Sequence, residues 1–137
     1  IEGALEAIRL CNDLGYYTFV VTNQAGVAKG KYEEIHVNEF HEEMQKQLIN
    51  FGAHIDEFVY CPHHPDATIS KYKKICSCRK PNSGMLLKLD DSWNINWEKS
   101  ILIGDKKIDT DAAEDFGIKG YLFNANNLFD FLKEILI

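Results

Sequence analysis

Two short segments, Cys61-Pro62-His63-His64-Pro65 and Cys76-Ser77-Cys78-Arg79-Lys80-Pro81, put three cysteines and two histidines at the ends of one polar loop. Soft ligands in two close pairs describe a tetrahedral zinc clasp, and a full set of Cys and His leaves no open position for chemistry on the metal. The set read from the spacing is Cys61, His63, Cys76 and Cys78, with His64 as the alternative fourth ligand. Within each pair one residue separates the ligands. This is tighter than the commoner spacing, so each pair needs extended or turning backbone, which Pro62 and Pro65 favour. A loop of this length has no core of its own. Ordering it costs about 1–2 kcal/mol per residue, and a structural metal across 61–78 would offset that cost. The competing reading is free thiols with a surface histidine. Two disulfides are the other use of four cysteines, but clustered cysteines without a secretory signal more often hold metal. Cys11 stands apart, on the apolar face of the first predicted helix, and reads as a buried thiol.

The chain has 137 residues, the length of one domain. Its hydrophobic content of 45% and charged content of 26% are those of an ordinary globular protein. The net charge of −6 argues against a nucleic-acid partner, which would call for a basic face. No apolar run approaches the roughly 20 residues that cross a bilayer, so a membrane role is not expected and a cytoplasmic monomer is. The chain begins at Ile1 rather than Met, which leaves a preceding or targeting segment open.

Ala4, Leu5, Ile8, Cys11 and Leu14 recur at helical spacing and Gly15 follows as a stop. Tyr17 to Thr22 is a β-rich run, and the loop from Asn23 to Gly30 carries two glycines that suit a flexible connection. Val37, Phe40, Met44, Leu48 and Phe51 form one face of a long helix closed by Gly52. Phe58 to Tyr60 is a short strand feeding the cysteine cluster. Further along come a helix from Ser83 to about Leu89, a strand Ser100 to Asp105 and a short helix around Ala112, Ala113 and Phe116. A strand Gly120 to Phe123 and a helix Leu128 to Leu136 complete the chain. Strands alternating with helices predict an α/β fold, a Rossmann-like three-layer sandwich around a mostly parallel sheet covered on both faces. In such sheets ligands bind at the carboxyl ends of the strands. Thr22-Asn23, the cysteine cluster and Gly104-Asp105 each follow a strand and so converge on one edge.

What gathers there suits phosphate. Thr22-Asn23 offers a hydroxyl, an amide and backbone N–H groups, although taken alone it also reads as a cap or turn. Arg79 brings a planar fork and Lys80 a point charge, both suited to phosphate. Asp105 at a strand end can hold Mg2+ with help from water and a substrate phosphate, and Lys106 can reach a second anionic group. Asp109 and Asp111 read as acids complementing a helix dipole.

Together these segments resemble the haloacid-dehalogenase-like phosphatases, and most of all the zinc-containing subgroup of heptose-bisphosphate and histidinol-phosphate phosphatases. Val20-Val21-Thr22-Asn23-Gln24-Ala25 with Gly26 to Gly30 looks like the family's second motif and substrate loop. The zinc loop joined to Arg79-Lys80-Pro81 looks like its third motif, and Gly104-Asp105-Lys106 with Asp109 like its fourth. The order is the family's, along essentially the whole chain, with no large cap domain. The resemblance implies a Mg2+-dependent hydrolase of a small sugar phosphate, with structural Zn2+. Thr22 would bind the transferring phosphoryl group, while Asn23, Gln24 and Ala25 would line the substrate. Arg79 would recognise substrate, Lys80 would neutralise the phosphoryl and nucleophile charge, Asp105 would ligate Mg2+ and Lys106 would contact substrate phosphate.

The departure from the family lies at the start. Members open with an apolar strand ending in Asp-x-Asp, whose first acid attacks phosphorus to form an aspartyl-phosphate and whose second is the general acid and base. Here the first residues match the helix after that strand. The expectation is a single domain over 1–137, N-terminally truncated, with a central strand missing and the nucleophile upstream of Ile1. The chain by itself would then be inactive. Two alternatives stand beside the sugar phosphatase: a histidinol-phosphate phosphatase, and a zinc-stapled binding module without catalysis.

Overall fold

A computed structural model describes residues 1–137. Four parallel strands alternate with helices in the order α1 (Ala4–Asp13), β1 (Phe19–Asn23), α2 (Ala25–Ala28), α3 (Glu34–Asn50), β2 (Glu57–Cys61), α4 (Gly84–Ser92), β3 (Ile101–Gly104), α5 (Lys107–Phe116), β4 (Lys119–Leu122) and α6 (Leu128–Leu136). The expected three layers are present. Val20 of β1 and Phe58 of β2 face one way, onto Leu5 and Ile8 of α1 and Leu48 of α3. Their strand neighbours Phe19, Val21, Val59 and Cys61 face the other way, onto Met85, Leu86 and Leu89 of α4 and Ala113 of α5. This is the period-two alternation of a sheet packed on both sides. Cys61 is fully buried within the larger core, so the metal-ligating corner grows directly out of the packed interior.

The sheet, however, is split. β1 pairs with β2 and β3 pairs with β4, both in parallel, and the two pairs share no hydrogen bonds. Thr18 and Gln24 bond backbone at either end of β2, so the backbone groups of Phe19, Val21 and Asn23 point to the other edge. No strand lies there. The consequence shows in burial: none of the five residues of β1 is fully buried. The apolar runs anticipate strands enclosed on both faces, but a strand with an open edge stays partly wet.

Two local differences matter for function. The strand begins at Phe19 rather than Tyr17. Tyr17 instead packs edge-on against Trp93, with ring centroids 5.0 Å apart. The glycine-bearing stretch after β1 is not an open connection but the helical turn α2, with Val27 and Ala28 buried. Its last carbonyl, on Ala28, accepts the N–H groups of Thr68 and Ile69 at 3.1 and 3.0 Å. The zinc loop therefore grips this turn. No helix is long and apolar enough to cross a membrane.

Candidate active site and metal centre

Cys61 ends β2, and the chain then runs out through His63 and returns through Cys76 and Cys78. The ligand atoms of these four residues all lie within 4.8 Å of one another. Cys61 and Cys76 sulfurs are 3.4 Å apart, Cys76 and Cys78 sulfurs 3.3 Å, and His63 Nδ1 lies 3.5 Å from Cys78 Sγ and 3.8 Å from Cys61 Sγ. Tetrahedral zinc with bonds of about 2.0–2.3 Å spaces its ligands by roughly 3.3–3.8 Å, which these pairs match, while the Cys61 and Cys78 sulfurs lie closer, at 2.7 Å. The chemistry agrees. Burial, and then the neighbouring Cys78, pushes the Cys61 thiol well above its usual range, so a thiolate there needs a cation beside it. The residues fit zinc, and the ligands are those expected from spacing. His64 is occupied otherwise: its Nδ1 accepts the Asp66 N–H at 3.0 Å.

A second anchor of the loop has no signature in the sequence. Tyr60 and Tyr72, on either side of the loop, both donate to Glu34 in the first turn of α3, at 2.8 and 2.6 Å. The hydroxyl of Tyr72, and next that of Tyr60, hold the Glu34 carboxyl below its ordinary value. Burial, followed by Glu34, pushes the Tyr60 phenol up to about 12. A carboxylate with a lowered folded value stabilises above its unfolded value, and that contribution is lost as pH falls through the folded one. The expected result for Glu34→Gln is a smaller loss of stability between neutral pH and the region below the ordinary carboxylate range, read by acid unfolding. An unchanged acid profile would remove Glu34 as an anchor.

Immediately after the metal ligands comes Lys80, the best-fixed side chain of the site. The Asn23 amide clamps its backbone from both sides: Lys80 N donates to Asn23 Oδ1 at 2.9 Å and Asn23 Nδ2 donates to the Lys80 carbonyl at 3.2 Å. The end of β1 and the end of the zinc loop are thereby locked together. Its ammonium donates to the open-edge carbonyl of Val21 at 3.2 Å and to Asp109 Oδ1 at 2.5 Å. An ammonium has three donors, so one remains for an incoming oxyanion. Asp109 is buried and also accepts the Lys106 N–H at 3.1 Å through its other oxygen. Its helix-capping role is visible from its position at the start of α5. Its pairing with Lys80 is not.

Gly104 makes this placement possible, because a Cβ there would fall inside the Asp109 side chain. Overpacking of this kind costs about 1–3 kcal/mol. Gly104→Ala is expected to lower stability by that order and to pull Asp109 away from Lys80, read as a lower unfolding midpoint together with slower turnover. Gly84 serves the other side: a Cβ there would collide with the backbone of Ser77 and Cys78, against which α4 starts.

The remaining predicted residues gather at the same strand ends. The Thr22 hydroxyl accepts from Gln24 Nε2 at 3.2 Å, and Gln24 Oε1 accepts from the Tyr32 hydroxyl at 2.6 Å. Tyr32 is a further partner that sequence patterns do not reveal. Ala25 starts α2, and Asp105 and Lys106 are exposed just past β3. One guanidinium nitrogen of Arg79, Nη1, is buried with no partner, which is unusual enough to require a ligand or a reason.

An α/β domain with a Cys and His cluster able to hold zinc, and with cations, a hydroxyl and an acid at its strand ends, has the chemistry that suits a phosphoryl group. Comparison with known proteins agrees. The polynucleotide kinase 3 phosphatase family matches residues 2–133. A D-glycero-beta-D-manno-heptose-1,7-bisphosphate 7-phosphatase of Rhodopseudomonas palustris is 41% identical over 137 residues, all of this chain and 76% of that protein. The enzyme of the same name from Photorhabdus laumondii is 43% identical over 113 residues, 82% of this chain and 60% of its own length. The crystal structure of D,D-heptose 1,7-bisphosphate phosphatase from B. bronchiseptica, complexed with magnesium and phosphate, has the same fold, with a TM-score of 0.84 at 24% identity over 99% of this chain and 83% of that one. The chain belongs to the haloacid-dehalogenase-like phosphatases and, within them, to the subgroup that holds the heptose-bisphosphate 7-phosphatases.

Proposed function

We propose that this is a Mg2+-dependent phosphomonoester hydrolase of a small phosphorylated sugar, most like the D-glycero-D-manno-heptose-1,7-bisphosphate 7-phosphatases. The observation that carries this reading is the placement of Lys80. Its ammonium is held at the carboxyl end of β1 by Val21 and Asp109, and its backbone by Asn23, with one ammonium donor left for an oxyanion.

The other roles follow from position. Thr22 hydrogen-bonds the transferring phosphoryl group, and Gln24, steadied by Tyr32, keeps that hydroxyl oriented. Ala25 and the backbone around Asn23 and Gln24 border the substrate. The Asn23 side chain is already engaged with Lys80, so it contributes by fixing that lysine. Arg79 recognises an anionic part of the substrate and Lys106 reaches substrate phosphate. Asp105 would hold Mg2+, which would supply a Lewis acid for the phosphoryl oxygens. Zinc at Cys61, His63, Cys76 and Cys78 braces the segment that carries Arg79 and Lys80.

In this reading the acid that attacks phosphorus lies upstream of Ile1, on a strand that would fill the place between β1 and β3. The two unpaired edges support that assignment. The domain is then one unit over 1–137 completed by that strand, and the 137 residues alone release no phosphate. A cytoplasmic monomer is part of the same reading. The test is a substrate ranking with the full-length protein in Mg2+. Heptose 1,7-bisphosphate is expected to exceed histidinol phosphate in kcat/KM by roughly a hundredfold, about 2.7 kcal/mol of differential transition-state binding. The reverse order would favour the histidinol-phosphate reading. No release from either would leave the binding module.

A further inference from the structure

The turn that follows β1 folds back on itself and ends at Tyr32. Gln24 is pinned by its backbone, whose N–H donates to the Cys61 carbonyl at 2.8 Å, and the Lys31 N–H closes the turn on the Gly26 carbonyl at 2.9 Å. Tyr32 is thereby carried back over Gly26, where a Cβ would fall inside its ring. Its hydroxyl reaches Gln24 Oε1 at 2.6 Å, and Gln24 Nε2 in turn reaches Thr22 Oγ1 at 3.2 Å. A side-chain amide can face either way, and the two distances tell which way this one faces. The shorter suits an O–H donor on an oxygen, the longer an N–H donor. Thr22 therefore accepts from Gln24 and keeps its own hydrogen. The acceptor this hydrogen finds within the protein is the Asn23 carbonyl at 3.4 Å, beyond the range of a good O–H···O bond.

We propose that Tyr32 is a positioning residue that fixes the Gln24 amide with Nε2 toward Thr22, so that the Thr22 hydroxyl meets the phosphoryl group as a donor. The inference rests on the reading of Thr22 as the group that binds the transferring phosphoryl. It adds which way that hydrogen bond runs and what sets its direction. A phosphoryl group presents acceptor oxygens, so a hydroxyl helps it only by donating. With the amide turned over, Gln24 Oε1 would take the Thr22 hydrogen for itself, and the phosphoryl would face a lone pair. The Gln24 backbone does not choose between the two states, because its bonds are the same in both. The Tyr32 hydroxyl does, because a phenol donates more strongly than it accepts and so draws Oε1 rather than Nε2. Gly26 is part of the device, since only a residue without a Cβ lets the ring lie where its hydroxyl reaches the amide.

Tyr32→Phe tests this in the zinc-loaded full-length protein with Mg2+ and a sugar 1,7-bisphosphate. The ring stays over Gly26, so the fold is kept and only the hydroxyl is lost. The expected result is a roughly five- to tenfold fall in kcat, the size of one neutral hydrogen bond, with KM changed by less than about twofold. In a Thr22→Ala background the same substitution is expected to have no further effect, since the hydroxyl it directs is gone. An equal fall in both backgrounds, or no fall in either, overturns the relay. The Gln24 side-chain amide gives a reading that does not depend on turnover. By NMR its protons are expected to exchange with solvent roughly tenfold faster in Tyr32→Phe than in the unsubstituted protein. Equal exchange in the two proteins also overturns the relay. If the unsubstituted protein released no phosphate, the hydrolase reading would fail, and the amide exchange alone would decide whether Tyr32 orients Gln24.

Discussion

Lys80→Ala in the full-length protein is expected to lower kcat by about 10²–10³-fold while KM for the sugar phosphate changes little, the size seen when one preorganised oxyanion donor is removed. The reasoning starts from geometry. The ammonium is already fixed by the Val21 carbonyl and Asp109, so no ordering cost is met when charge develops on the phosphoryl oxygens. A contact that strengthens only in the transition state appears in kcat rather than in KM. The same substitution has a structural cost. The Lys80 and Asp109 side chains are 13% and 9% exposed. Removing one partner of such a pair strands the other charge, at about 3–5 kcal/mol. The double variant Lys80→Ala/Asp109→Asn is therefore expected to recover part of the unfolding free energy but none of the turnover. If stability and turnover returned together, Lys80 would be a structural residue only.

The second large effect concerns the metal. Purified protein is expected to hold about one zinc per chain by metal analysis, and Cys76→Ser to lose it. A structural zinc is worth about 10–16 kcal/mol of apparent binding energy in small zinc-dependent folds. Here all the buried core residues but Cys61 lie outside the segment 61–78, so loss of the metal should loosen that segment rather than unfold the chain. The predicted readout is rapid proteolysis confined to that segment, together with a fall in turnover, although no zinc ligand touches substrate. Zinc affinity should also weaken as pH falls, because protons compete for three thiolates and His63. A metal-free protein with an intact, protease-resistant loop would show that Glu34, Tyr60 and Tyr72 suffice as the brace.

How much of this could be read from residues alone depended on the range of the interaction. The four metal ligands were legible because their chemistry is unusual and their spacing local; they meet as expected. The layers followed from periodicity, which reports which faces are apolar. Periodicity does not report what an apolar residue packs against, so the β-rich run includes Tyr17, whose ring packs against Trp93 instead. The stretch after β1 read as flexible because glycines mark freedom, whereas Ala28 is completely buried under the zinc loop. The pairing of Asp109 with Lys80, and of Glu34 with Tyr60 and Tyr72, joins residues far apart in the chain, and nothing in either segment announces the other. That β1 and β3 each pair with a single neighbour is likewise invisible to periodicity, which does not report which strands lie side by side.

The central claim is that these strand ends, with Lys80 between them, work on a sugar phosphate. Its most direct measurement is a phosphorus NMR time course of heptose 1,7-bisphosphate with the full-length protein. The expected result is loss of the 7-phosphate signal and growth of inorganic phosphate in the presence of Mg2+, with the 1-phosphate retained, no change under a chelator, and loss of the reaction in Lys80→Ala. Retention of both ester signals with Mg2+ present and zinc bound would contradict it.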